Sequence, residues 1–233
     1  MSGPPPDLAL LSRVPDPLAP EDDGGALPAP PVLPTTAAPT RADHRRRLWV
    51  VVALALVVQA VWITLARHKL PLEEYSMHHL MFGLGLPLVA AGLTWAIANR
   101  RGRMGLGAPA SWLGASMAVA TLLFVGLTLA TAPADPGVSA MTFLDGAGRC
   151  LVQAVVLGGV ALGLVTYAFR RAFVTASTWR TAALGVACGG LAAATMSLAC
   201  FHREAMHVVV GHGAMMVVGG IVGAIVGRRI TRA

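Results

Sequence analysis

The chain has 233 residues, 55% of them hydrophobic and only 12% charged, with a formal net charge of +7 and a mean hydropathy of +0.66. A soluble domain carries roughly a quarter charged residues, so the composition excludes an ordinary water-soluble globule and points to lipid as the solvent. The basic excess is spread between apolar runs, which speaks against a nucleic-acid-binding surface.

Residues 1–47 hold eleven of the sixteen prolines, in runs such as "GPPP" and "LPAPPVLP". Such a segment buries too little apolar area to offset chain entropy and is predicted to be disordered and cytoplasmic. One island, "PDLALLSRV", differs. Asp7 can cap a short helix with Leu8, Leu11 and Val14 along one face. That is too short to be stable alone but sufficient to form on a partner. Arg45, Arg46 and Arg47 close the segment and join those three apolar residues as candidate partner contacts. No short apolar stretch with a small-residue cleavage site precedes the first long one, so an uncleaved signal anchor is expected.

Six apolar runs follow, Leu48–Ala66, Met77–Ala98, Trp112–Thr131, Leu151–Phe169, Thr181–Ala199 and His207–Gly227. Each is long enough to cross a bilayer, which takes about 18 residues or more. None alternates as a barrel strand does, so the expected fold is all-α, a six-helix transmembrane bundle. Fourteen of the eighteen cations fall before span one, between spans two and three, between spans four and five, or after span six. That asymmetry places both termini in the cytoplasm of a multi-pass protein, read here as one of a bacterial inner membrane.

Within the spans, Pro87 is expected to kink or loosen the second helix. Gly185 and Gly189 in the fifth span, and Gly219, Gly223 and Gly227 in the sixth, have the four-residue spacing that lets helix backbones approach in lipid. Gln59 and Gln153 are expected to make interhelical hydrogen bonds. The span centres lack acidic and basic residues, which argues against a transport path. No phosphate-cradling loop or nucleophile elbow occurs where its strand and helix context exists, so the chain does not read as an enzyme.

The reactive side chains gather at the opposite end from the cations. His68, His78, His79, Cys150, Cys200, His202, His207 and His212 all fall at or near the expected outer face, with Met77 and Met206 beside them. Three explanations compete. Cys150 and Cys200 suit a thiol switch in an oxidising compartment. The imidazoles and thiols together suit Zn or Cu, with the methionines favouring Cu(I). Interfacial histidines and small cysteines also occur for packing alone. His202, His207 and His212 recur every five residues, about 140° apart on an α-helix, so one helix is not expected to present all three to one ion. Ligands from spans two and four would then be needed. A fourth reading, a haem- or copper-binding electron carrier, would pair a histidine of span two with His207 or His212.

The run from "GRCLVQAVV" through "ACFHREAMHVVVGHG" resembles the NrsF family of polytopic anti-sigma factors. The likeness rests on Cys150 opening the fourth span, on Leu198 and Cys200 closing a glycine- and alanine-rich fifth span, and on His207 and "GHG" at Gly211–Gly213. It covers roughly residues 40–233. The resemblance implies a membrane regulator that holds an extracytoplasmic-function sigma factor inactive and releases it on stress, with Cys150 and Cys200 as the paired sensing cysteines. The chain departs from the family pattern where a Cys-Pro pair is usual: Phe201 follows Cys200, and His202 follows in turn.

Overall fold

The computed structural model describes residues 41–67, 77, 80–100, 108–131, 140–169, 178–200, 202 and 204–230, all of which fall in one compact unit, Pro39–Ala233. Leu8, Leu11 and Val14, and the expected disorder of the N-terminal segment up to residue 40, lie outside the described residues, as do His68, His78 and His79.

Six helices are long and apolar enough to cross a membrane: Arg46–Ala66, Met81–Asn99, Ala110–Thr131, Asp145–Ala168, Thr178–Ala199 and Ala205–Arg229. They are numbered spans one to six. The helix of span one already begins at Arg41, so Arg45, Arg46 and Arg47 continue it, with Arg46 and Arg47 exposed. All six are helical because a helix satisfies every backbone group within its own segment, which lipid requires.

Span five is the centre of the bundle. Of its most apolar 18-residue stretch 83% is buried, against 17% in that of span one, and it touches all five of the others. Its sequence explains why. "TAALGVACGGLAAAT" is almost entirely small, and small residues let neighbouring backbones come close where lipid offers no hydrophobic gain for association. The closest neighbour is span six. A Cβ added at Gly185 would strike the Gly219 carbonyl, one at Gly189 the Met215 backbone, and one at Gly223 the Thr181 carbonyl. The glycine spacing read from the sequence is therefore a backbone-to-backbone seam. Gly190 does the same toward span two, where an added Cβ would lie 3.1 Å from the Pro87 carbonyl.

Two clusters show that successive spans run antiparallel. One joins Val51, Ala98, Leu113, Val165 and Leu184, from the start of spans one, three and five and the end of spans two and four. The other joins Trp62, Cys150, Met196, Cys200 and Met215 at the opposite end. Arg46, Arg47, Arg100, Arg180, Arg228 and Arg229 thus share one end of the bundle, where Arg100 lies over the Trp112 ring at 5.6 Å. The cysteine pair marks the other end. Branched aliphatic residues such as Leu54, Leu122, Val152 and Ile221 are exposed around the girth, as helices facing lipid require.

Pro87 acts one turn earlier than a simple kink. The helix Leu86–Asn99 is preceded by a π-helical turn, Leu80–Gly85. Proline lacks an N–H and its ring crowds the carbonyl four residues back, so the preceding turn widens. Several hydroxyls inside the spans are satisfied within their own helix: Thr94 donates to the Ala90 carbonyl at 2.8 Å and Ser116 to that of Leu113 at 2.9 Å. Gln59 does bridge helices, its Nε2 donating to the Leu157 carbonyl of span four at 3.4 Å. Gln153 does not conform to the expectation; it is exposed on span four, because the face that carries Cys150, Ala154 and Leu157 turns it outward.

Three expectations follow for the protein purified in detergent and followed by tryptophan fluorescence through a thermal melt. Gly189→Leu forces a side chain into the Met215 backbone and should destabilise by about 2–3 kcal/mol or prevent accumulation. Gly92→Ala, with nothing within 4 Å of the added Cβ, should stay within about 0.5 kcal/mol of wild type. Gln59→Met should stay within about 1 kcal/mol, since the bridge is long and single interhelical hydrogen bonds in lipid average about 0.6 kcal/mol.

Candidate functional site

The fifth span ends by placing Cys200 one step beyond its last helical residue, with the Cys200 N–H still donating to the Met196 carbonyl at 2.8 Å. Cys150 reaches the same point from span four. Its thiol donates to Cys200 Sγ across 3.5 Å, and both side chains are buried. His207 enters from the first turn of span six, its Nε2 lying 3.4 Å from Cys200 Sγ. His212 completes the group; its Nδ1 is 3.3 Å from Ser197 Oγ, whose own proton goes to the Ala193 carbonyl. One ligand atom from each of Cys150, Cys200, His207 and His212 lies within 4.8 Å of all the others, and all four residues are buried.

The five-residue spacing works because span six is not an α-helix here. After the short helix Ala205–His207, residues Val208–Gly213 form a π-helical turn before α-geometry resumes at Ala214. In a π-helix the bonds run i→i+5, so residues five apart stack instead of diverging. His207 and His212 meet edge to face with ring centroids 5.5 Å apart. The expected 140° divergence is overturned at this pair by the local helix type. Span four contributes Cys150 to the group. The glycines around His212 have separate reasons. A Cβ at Gly211 would press on Ala147 and Cys150 of span four at 3.3 Å, and one at Gly213 would enter the Phe124 ring of span three.

His202 lies just above, its ring 4.7 Å from that of His207, and its Nδ1 is 3.6 Å from the Glu204 carboxylate. His202, Glu204 and His207 form a second set of three mutually close ligand atoms. Met77 and Met206 are exposed at 72% and 49%, and neither belongs to these groups. Cys188 sits elsewhere, in the middle of span five, lining an apolar cavity of about 230 Å³ with Leu88, Trp95 and Val165. Sequence reasoning missed Ser197 and Glu204. The only signals were Ser197 lying one helical turn before Cys200 and Glu204 lying two residues beyond His202.

Chemically, the four buried groups suit two reactions. Around a tetrahedral zinc ion, with Zn–S near 2.3 Å and Zn–N near 2.0–2.1 Å, ligand atoms stand about 3.3–3.8 Å apart. The 3.5 Å and 3.4 Å separations at Cys200 are of that size. Two sulfurs at 3.5 Å are also within about 1.5 Å of a disulfide bond length. The proton donated by Cys150 holds the Cys200 thiol below the ordinary thiol range, with help from His207 and His212 and against the effect of burial. A thiolate is both the nucleophile in disulfide chemistry and the form that binds metal.

No curated protein and no solved structure matches the chain. A family model does. Residues 33–232 match the model of NrsF, negative regulator of sigma F, a family of regulators and not of enzymes, and with most of its length so matched the chain belongs to that family.

Proposed function

We propose that this protein holds an extracytoplasmic-function sigma factor inactive at a bacterial inner membrane and releases it when the Cys150–Cys200 site is oxidised or changes its metal. The observation that carries the reading is the pair of sulfurs, contributed by spans four and five and 3.5 Å apart, at the bundle end opposite the arginines. Under the positive-inside rule the arginine end is cytoplasmic, with both termini, and the sulfurs face the other compartment. Sigma-factor contacts are assigned to residues 1–47, with Leu8, Leu11, Val14 and Arg45–Arg47 foremost, and to the basic loops at residues 100–103 and 170–180.

The two reactions of the site exclude each other. A disulfide consumes both sulfurs as ligands, whereas a zinc or copper ion keeps them apart. Either event changes the separation of Cys150 and Cys200, and through them the packing of span four on span five. Only a difference in stability between two packings can shift sigma binding, and such couplings usually amount to about 1–3 kcal/mol.

The test is a double variant, C150S/C200S, with a reporter driven by the partner sigma factor. Co-purification of the sigma factor with the full-length protein in detergent should match wild type, while induction by diamide or by Cd²⁺ should fall to the uninduced level. Normal induction in the double variant would refute the assignment of these cysteines. Loss of co-purification would show instead that they act in partner binding.

A further inference from the structure

The buried tetrad poses an access problem. His207 and His212 are 3% and 0% exposed, and hydrated cations do not diffuse into a closed helix end. The second ligand set supplies an opening. The side chains of His202 and Glu204 are 41% and 26% exposed, and both share His207 with the tetrad. The two nitrogens of the His207 ring divide between the sets. Nε2 faces Cys200 Sγ at 3.4 Å. Nδ1 turns toward span four, where a Cβ placed on Gly146 would lie 3.9 Å from it and 3.9 Å from His202 Nε2. Glycine at 146 therefore leaves room beside two imidazole nitrogens, while the Glu204 carboxylate stands 3.6 Å from the other nitrogen of His202, Nδ1.

We propose that His202, Glu204 and Nδ1 of His207 form an entry site for a divalent cation of the Zn²⁺ class, and that this site loads the buried Cys150–Cys200–His207–His212 group. The proposal rests on the tetrad being a metal site, as read above. Two imidazoles and one carboxylate suit Zn²⁺ and its borderline neighbours. They bind from water because part of the set remains solvated. The inner set keeps two imidazoles, with His212 in place of His202, and has two softer sulfurs in place of the carboxylate, so the ion moves toward the stronger donors. His207, common to both, keeps one ligand near the ion throughout the exchange. Loading is ligand exchange alone: bonds to water, His202, Glu204 and His207 Nδ1 break, bonds to Cys150, Cys200, His212 and His207 Nε2 form, and any displaced thiol proton passes to solvent. Nothing is oxidised or reduced.

Full-length protein, purified in detergent, reduced and stripped of metal, would be mixed with Co²⁺ in a stopped-flow spectrometer. The thiolate-to-cobalt charge-transfer absorbance reports arrival in the tetrad. H202A/E204Q should slow that arrival by roughly tenfold, the lower end of effects seen at supporting groups around metals, while leaving the end-point absorbance at wild-type level. The unchanged end point shows that the variant is folded and its tetrad intact. In C150S/C200S the band should vanish, yet equilibrium dialysis should still show one weakly held Co²⁺ that is lost when H202A/E204Q is added. Wild-type loading rates in H202A/E204Q, with the band present, would overturn the entry site and leave the tetrad standing. A wild-type protein with no charge-transfer band would sink the tetrad as a metal site, and the loading role with it.

Discussion

Spans five and six touch through their backbones. Gly185 meets Gly219, Gly189 meets Met215, and Gly223 meets Thr181, with no side chain between the helices at those points. In lipid, helices gain nothing by hiding apolar surface from one another, so association depends on how closely atoms pack. A seam of this kind leaves span six very little freedom to rotate. Because span five also touches every other span, its contacts set the frame in which the remaining helices find their places. Cys200 stands at the end of this central helix, and His207 at the start of the helix locked against it.

That seam creates a conflict at the head of span six. Below Gly213 the helix must keep its glycines on one face at four-residue spacing. Above it, His207 and His212 must both face the sulfurs, and α-geometry carried through would send them about 140° apart. The π-helical turn at Val208–Gly213 resolves the two demands by widening one turn between them. Such turns occur mostly at functional sites, and here the reason is visible: the register that suits packing and the register that suits the ligands differ by part of a turn. Gly211 and Gly213 then keep span four and Phe124 close to a segment of unusual girth.

These relations also mark where the sequence stops being legible. The six spans could be read because transfer from water to lipid depends on run length and composition, which add residue by residue. The glycine pairs could be read because their meaning depends only on spacing along one helix. The gathering of cysteines and histidines at one end followed from chain order alone. Whether two such residues meet is a different matter, since it depends on helix rotation. His207 and His212 were expected to diverge because the period assumed was the common one. Gln153 was expected to bridge helices, but the face holding Cys150, Ala154 and Leu157 turns it outward. Ser197 looks like any polar residue in a span until span five is oriented and its hydroxyl is found at His212.

The two ends of the molecule are held apart by the length of span five, 22 residues from Thr178 to Ala199, or about 33 Å of helix. The arginines gather at one end and the buried thiols and imidazoles at the other, and among the described residues no Asp, Glu, Lys or Arg is buried between them. Under the proposed function, a signal passing from the sulfurs to the arginine end cannot be carried by ion pairs breaking in sequence. It has to be carried by helices moving as rigid bodies, and the packing determines which can do so. Span six is bound to span five through backbone atoms, whereas span four meets span five through side chains such as Leu157, Ala192 and Met196. Side-chain interfaces can shift by rotamer change, but a glycine seam cannot. The Cys150–Cys200 contact lies on the adjustable interface, while the histidines that complete the site ride on the fixed one. Under the proposed function, a change at the sulfurs acts against a rigid five–six pair, and span four, held to span five through side chains, is the helix that responds.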